Sequence, residues 1–161
     1  MYAATRMLIA ARKPFSRFPL MPAKVSQVGG GKPGDCFGNA SDNIDRTRGV
    51  KIVCGWMVSK YDPILKSTEI TAHFWNSIGA SDMFDTTPNS GSGIEYVVDQ
   101  ELSVFGQDNY NNYSSMVCSS LLLRDNRFWI VSGDHTTGLS FSLAKDLSNE
   151  ELFRDVLIKS Q

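Results

Sequence analysis

Two stretches decide how this chain folds: residues 50–58, Val-Lys-Ile-Val-Cys-Gly-Trp-Met-Val, and residues 69–76, Glu-Ile-Thr-Ala-His-Phe-Trp-Asn. In the first, Val50, Ile52, Cys54, Trp56 and Val58 alternate with the residues between them, so one face of an extended chain is apolar throughout. In the second, Ile70, Ala72, Phe74 and Asn76 share one face and Glu69, Thr71, His73 and Trp75 the other. Both read as strands. Tyr61-Asp62-Pro63 makes a turn between them. Gly79 then turns the chain back into Met83-Phe84-Asp85, a strand that pairs with the second stretch and brings His73 and Asp85 close together. Thr86-Thr87-Pro88-Asn89-Ser90-Gly91 ends that strand in a loop.

Upstream, Val28-Gly29-Gly30-Gly31-Lys32-Pro33-Gly34 is a loop rich in glycine and proline. It lacks the Gly-x-x-x-x-Gly-Lys-Ser/Thr spacing of a phosphate-binding loop, and no clear hydrophobic strand precedes it. Asp35 caps a short helix starting near Cys36, whose face is marked by Phe37, Ala40 and Ile44. Arg46, Arg48 and Gly49 have the pattern of its C-terminal end. Downstream, Ile94–Val98, Val117–Leu123, Phe128–Val131 and Leu139–Leu143 read as further strands, with a turn at Arg124-Asp125-Asn126-Arg127. The polar stretch Gly106–Tyr113 reads as a surface loop. Ser148 and Glu151 have the separation of a capping box and open a C-terminal helix that buries Leu152 and Val156. A helix, then a sheet, then a helix is the order of an α+β domain on an antiparallel sheet.

The chain has 161 residues, a length suited to one domain with its own core. Net charge is −1, which argues neither for nucleic acid nor for a membrane, but the charges are unevenly placed. Residues 1–34 hold Arg6, Arg12, Lys13, Arg17, Lys24 and Lys32, while all 17 acids lie further on. Residues 1–25 therefore read as a basic N-terminal arm, with a helical turn at Ala3–Ala11, ahead of a single domain over 26–161. The prolines in the arm break any long amphipathic helix. The run Met7–Ala11 is too short for a membrane span or a secretory core. Three cysteines, Cys36, Cys54 and Cys118, cannot all pair within one chain, and reduced thiols in a cytoplasmic setting are expected.

The candidate chemistry lies in Cys36, His73 and Asp85. A thiol is a nucleophile as its thiolate, which a helix N-terminus and a nearby imidazolium both favour. The same helix start offers N–H groups to a developing oxyanion. A histidine on a strand is rigidly placed to exchange a proton with the thiol. A carboxylate on the neighbouring strand holds the imidazole tautomer through the other ring nitrogen. His135 is the rival base. Cys36, Cys54 and a histidine have no recognised zinc-ligand spacing, and no metal or cofactor is expected.

The pattern Gly34-Asp35-Cys36 with Ala40, then His73-Phe74-Trp75, then Asp85-Thr86-Thr87-Pro88 resembles the transglutaminase-like and papain-like cysteine enzyme superfamily over about residues 34–88. The transglutaminase-like branch is the nearer. The resemblance implies a helix carrying the cysteine packed on an antiparallel sheet that carries His and Asp in that order. It implies Cys36 as nucleophile, His73 as general base and acid, and Asp85 as orienting carboxylate. The activity implied is acyl transfer on an amide of a protein or peptide, as a protease, amidase, deamidase or transglutaminase-type enzyme. Phe37 stands where such enzymes commonly have Trp. Asn39, Trp56, Trp75 and Gln27 are the candidate substrate-binding residues, Gln27 as an oxyanion donor rather far upstream. The alternative is a non-catalytic protein-binding module on the same fold. Neither a membrane nor nucleic acid is expected as a partner.

Overall fold

In the computed structural model, which describes residues 1–88, 92–109, 118–134 and 136–155, the two alternating stretches are the centre of one sheet. In chain order the elements are α1 (Ala3–Arg12), β1 (Met21–Ala23), β2 (Val25–Gln27), α2 (Cys36–Asp42), β3 (Val50–Val58), β4 (Thr68–Ile78) and β5 (Asp82–Asp85). They continue with β6 (Glu95–Val98), α3 (Gln100–Asn109), β7 (Ser120–Arg124), β8 (Arg127–Asp134), β9 (Gly138–Leu143) and α4 (Asn149–Leu152). This is an α+β fold on a nine-stranded sheet, antiparallel except where β2 pairs β5.

β4 is the hub. It pairs β3 along most of its length, β5 over Asn76–Ile78 and β7 over Thr68–Ile70. β6 lies on the far side of β3, and β1 on the far side of β6. β1 and β2 are separated only by Lys24, and β2 pairs β5. The run β1–β6–β3–β4–β5–β2 thus has end strands that are joined by the chain at Lys24 and not by pairing, while β7, β8 and β9 extend the sheet from the other half of β4.

Residues opposite one another across a pair share a face. Trp56 opposes Ala72 and Cys54 opposes Phe74, and these join the apolar core with Val58, Ile70 and Val97. Leu8 from α1, Leu102 from α3, Leu121, Ile130, Leu152 and Phe153 complete it. Gly55 opposes His73 and Val53 opposes Trp75, so His73 and Trp75 lie on the other face. The turn between β7 and β8 uses Asp125 and Asn126, both at positive φ (52° and 58°), where Asp and Asn are favoured in two-residue hairpins.

The segment read as an arm supplies α1 and β1 to this same body. Ala4, Thr5, Leu8 and Arg12 recur at helical spacing and are buried. Arg12 has no exposed surface. Its Nε donates to Asp99 Oδ2 at 2.9 Å, Nη1 to the Leu147 carbonyl and Nη2 to Asn149 Oδ1. The acid-free composition of residues 1–34 thus conceals one cation in the core. Helix α2 ends at Asp42 instead of continuing toward Arg48, and Ile44 is exposed. Helix α3 runs on to Asn109, with Gly106 buried, where the sequence reading has loop from Gly106. Asn89–Gly91, Tyr110–Tyr113, Val117, His135 and Val156 lie outside the described residues. Ser148 Oγ accepts from Glu151 N at the start of α4, one half of the expected capping box; in place of the other half, Ser148 N donates to Asp146 Oδ1 and Glu151 Oε1 accepts from Lys145 N. Among the described residues no helix is long and apolar enough to cross a membrane.

Candidate active site

Cys36 is the first residue of α2. The carboxylate of Asp35 caps the helix by accepting from Gly38 N at 3.1 Å. A side chain at 38 would collide with that carboxylate, a Cβ falling 2.4 Å from Asp35 Oδ2. Glycine at 38 thus belongs to the cap that sets where the helix, and so the thiol, begins.

His73 is buried in the middle of β4, and its Nε2 meets Asp85 Oδ2 at 2.7 Å. Asp85 ends β5 and is 1% exposed. Both of its carboxylate oxygens are engaged. Oδ1 accepts from Thr87 N at 2.8 Å; besides His73, Oδ2 accepts from the Tyr96 hydroxyl at 2.9 Å and from Gln27 Nε2 at 3.3 Å. These bonds hold the Asp85 carboxyl below its usual range although burial pushes it up. For His73, burial opposes the charged ring, but hydrogen bonds and charge from Asp85 and Cys36 outweigh it and raise the pKa to about 9. The imidazole is therefore charged at neutral pH. With Nε2 on Asp85, Nδ1 is the nitrogen left to serve the thiol.

The helix is tied to the carboxylate through the chain that follows it. Asn39 Nδ2 donates to Thr87 Oγ1 at 3.1 Å, and Asn43 Nδ2 to Thr86 Oγ1 at 3.0 Å. Asn76 Nδ2 donates to the Ala40 carbonyl. The glycine loop completes the strap: Gly31 N donates to the Thr86 carbonyl at 2.9 Å, and Lys32 exchanges two hydrogen bonds with the Asn39 amide. A Cβ at Gly31 would lie 2.6 Å from both the Thr86 carbonyl oxygen and the Asn39 side chain. This loop is a tight fastening between β2 and α2.

Cys36, His73 and Asp85 are thus brought together. The four other candidate residues have distinct places. Trp75 packs beside His73, ring centroids 6.2 Å apart, and is almost fully buried. Gly55 leaves the space it needs, since a Cβ there would meet the Trp75 ring at 2.8 Å. Gln27 sits on the far side of the carboxylate, bonded to Asp85 and, at 2.6 Å, to the Tyr96 hydroxyl. Asn39 spends its amide on Lys32 and Thr87. Trp56 is on the opposite face of the sheet, fully buried, with Nε1 donating to Asp99 Oδ2. Tyr96 is the participant that sequence reasoning missed, and Thr87 enters that reasoning only as part of the Asp85-Thr86-Thr87-Pro88 pattern, with no role of its own. Tyr96 is one aromatic residue in a four-residue strand and carries no motif. Thr87 holds Asp85 through its backbone N–H and Asn39 through its hydroxyl oxygen.

All three cysteines are free. Cys36 is partly exposed, whereas Cys54 and Cys118 are buried in surroundings that push their thiols up. Among the described residues no group of three His, Cys, Asp or Glu side chains is placed to hold a metal ion. No protein-family model, curated protein or solved structure matches this chain.

Proposed function

We propose that the protein is a cysteine enzyme that transfers acyl groups from an amide of a protein or peptide, on a papain-like or transglutaminase-like frame. The observation that carries the reading is the arrangement around His73. One ring nitrogen is held 2.7 Å from a buried carboxylate, and the partly exposed Cys36 thiol is the other group that favours the charged ring. An imidazolium beside a thiol stabilises the thiolate.

The thiolate attacks the amide carbonyl, and the oxygen takes up negative charge facing the start of α2, where Cys36 is the first residue and its backbone N–H serves as a donor. His73 gives a proton to the departing nitrogen as the C–N bond breaks, leaving a thioester on Cys36. Water or an amine then attacks the thioester, passing its proton to His73, and the C–S bond breaks to restore the thiolate. Asp85 keeps the ring oriented and stabilises its charge throughout. Unpaired thiols suit a reducing compartment such as the cytoplasm.

Iodoacetamide labelling near neutral pH followed by intact mass and peptide mapping tests this. The native protein takes one adduct, on Cys36, at least about tenfold faster than free cysteine at the same pH, and His73→Ala abolishes the advantage. An activated ester leaves an acyl group on Cys36 that the His73→Ala variant resolves more slowly. If Cys36 reacts no faster than free cysteine, the chain is a non-catalytic binding module on this fold.

A further inference from the structure

β9 ends the sheet. It pairs with β8 from Gly138 to Leu143, and its other edge carries no strand among the described residues. Natural edge strands are protected by charge, proline, bulges or shortness. Gly138-Leu139-Ser140-Phe141-Ser142-Leu143 has no charge and no proline. Leu139, Phe141 and Leu143 lie on one face and are 44%, 52% and 46% exposed. They continue an apolar surface through Val131 and Trp129 of β8, their cross-strand neighbours. Among the described residues the buried Trp129 Nε1 has no hydrogen-bond partner, and it lies beside a shallow cavity that Phe141 and Trp129 line.

The sequence of this edge identifies what would cover it. Leu139-Ser140-Phe141-Ser142-Leu143 reads the same in both directions. In an antiparallel pair of two copies about a two-fold axis at Phe141, each residue meets its own kind. Phe141 faces Phe141, each Leu139 faces a Leu143, and each Ser140 faces a Ser142. Side chains alternate across a strand, so the apolar residues fall together on one face and the serines on the other. The register extends outward. Gly138 meets Ala144, and Lys145 meets Thr137, next to which the exposed Asp134 carboxylate caps the turn by accepting from Thr136 N and Thr137 N. Opposite charges therefore approach at both ends of the pair.

We propose that β9 is a self-association edge through which two copies of this chain join their sheets, antiparallel and two-fold about Phe141. A short strand covers less than the roughly 800 Å² per partner of a standard interface. Association is therefore expected to be weak, with Kd between about 1 µM and 1 mM.

Sedimentation velocity of the full chain from about 5 µM to 1 mM reads this. The mass rises with concentration from 17.8 kDa toward twice that value. Phe141→Lys and Phe141→Glu each place like charges opposite one another, and each raises Kd at least about tenfold. Because the position opposes itself, an equimolar mixture of the two variants regains dimer that neither forms alone. Circular dichroism and the Cys36 alkylation rate, unchanged in both, show that the variants are folded. A wild type that stays monomeric at about 1 mM overturns the proposal. So does a dimer that both substitutions leave intact, or a mixture that behaves as its components do.

Discussion

Replacing Asp85 by asparagine separates the two causes that set the charge of His73. In the wild type, burial disfavours the imidazolium, and Asp85 and Cys36 together reverse this, bringing the pKa from 6.5 to about 9. At about 1.4 kcal/mol per pH unit, that gap corresponds to roughly 3 kcal/mol of net preference for the charged ring. The substituted amide carries no charge, and burial then dominates. The expected midpoint for His73 in Asp85→Asn is about 6.5 or lower. Stability follows with a definite sign. A group whose pKa is raised on folding binds more protons in the native state, so its contribution is complete below about 6.5 and is lost as pH rises through about 9. The wild type should therefore lose up to roughly 3 kcal/mol across that window, and Asp85→Asn should be nearly flat. The variant also starts lower, by about 1–3 kcal/mol, because an amide nitrogen cannot accept from Tyr96, Gln27 and His73 as Oδ2 does. The chain has two histidines, so NMR titration of the ring protons in a His135→Gln background assigns the midpoint to His73. Urea denaturation at several pH values gives the stability. A His73 midpoint that stays above about 8 in Asp85→Asn would refute the assignment of the raised pKa to this carboxylate.

Arg12→Met leaves Asp99 as an unpaired buried carboxylate, and urea denaturation should show a loss of about 3–5 kcal/mol, part of which Arg12→Met with Asp99→Asn recovers. Gly31→Ala drives a Cβ to within 2.6 Å of the Thr86 carbonyl oxygen and the Asn39 side chain. Stability should fall by about 1–3 kcal/mol. Cys36 alkylation should also slow, since the loop fastens the helix that carries the thiol; an unchanged rate would show that the strap does not position it.

Much of this architecture is legible in local patterns. β3 and β4 follow from the alternation around Trp56 and His73, and the start of α2 from Asp35. Local signals fail where long-range contacts decide. Met21–Ala23 and Val25–Gln27 have only three residues each, and the first contains Pro22. They become strands because β6 and β5 supply hydrogen-bond partners far along the chain. Helix α3 is hidden by its glycine and polar residues, and is fixed by Leu102 packing in the core. The α2 helix is shorter than its apolar spacing suggests because the chain turns at Asp45, whose carboxylate accepts from Thr47 and Arg48.

The order Cys36, His73, Asp85, the capped helix start and the alternating strands are properties of neighbours in the chain, and rotamer and hydrogen-bond chemistry over a few residues determines them. The pairing of β1 with β6 and of β2 with β5, the burial of Arg12 on Asp99 and the placing of Gln27 and Tyr96 behind Asp85 join residues 58 to 87 positions apart or meet across strands. Their bonds are worth making only once the core has excluded water from them, so they belong to the assembled fold and leave no periodicity to read. The same division separates two tryptophans that look alike in sequence. Alternation puts Trp56 on the apolar face of its strand and Trp75 on the face of His73, and the register, Trp56 opposite Ala72 and Val53 opposite Trp75, decides that these are opposite faces of one sheet.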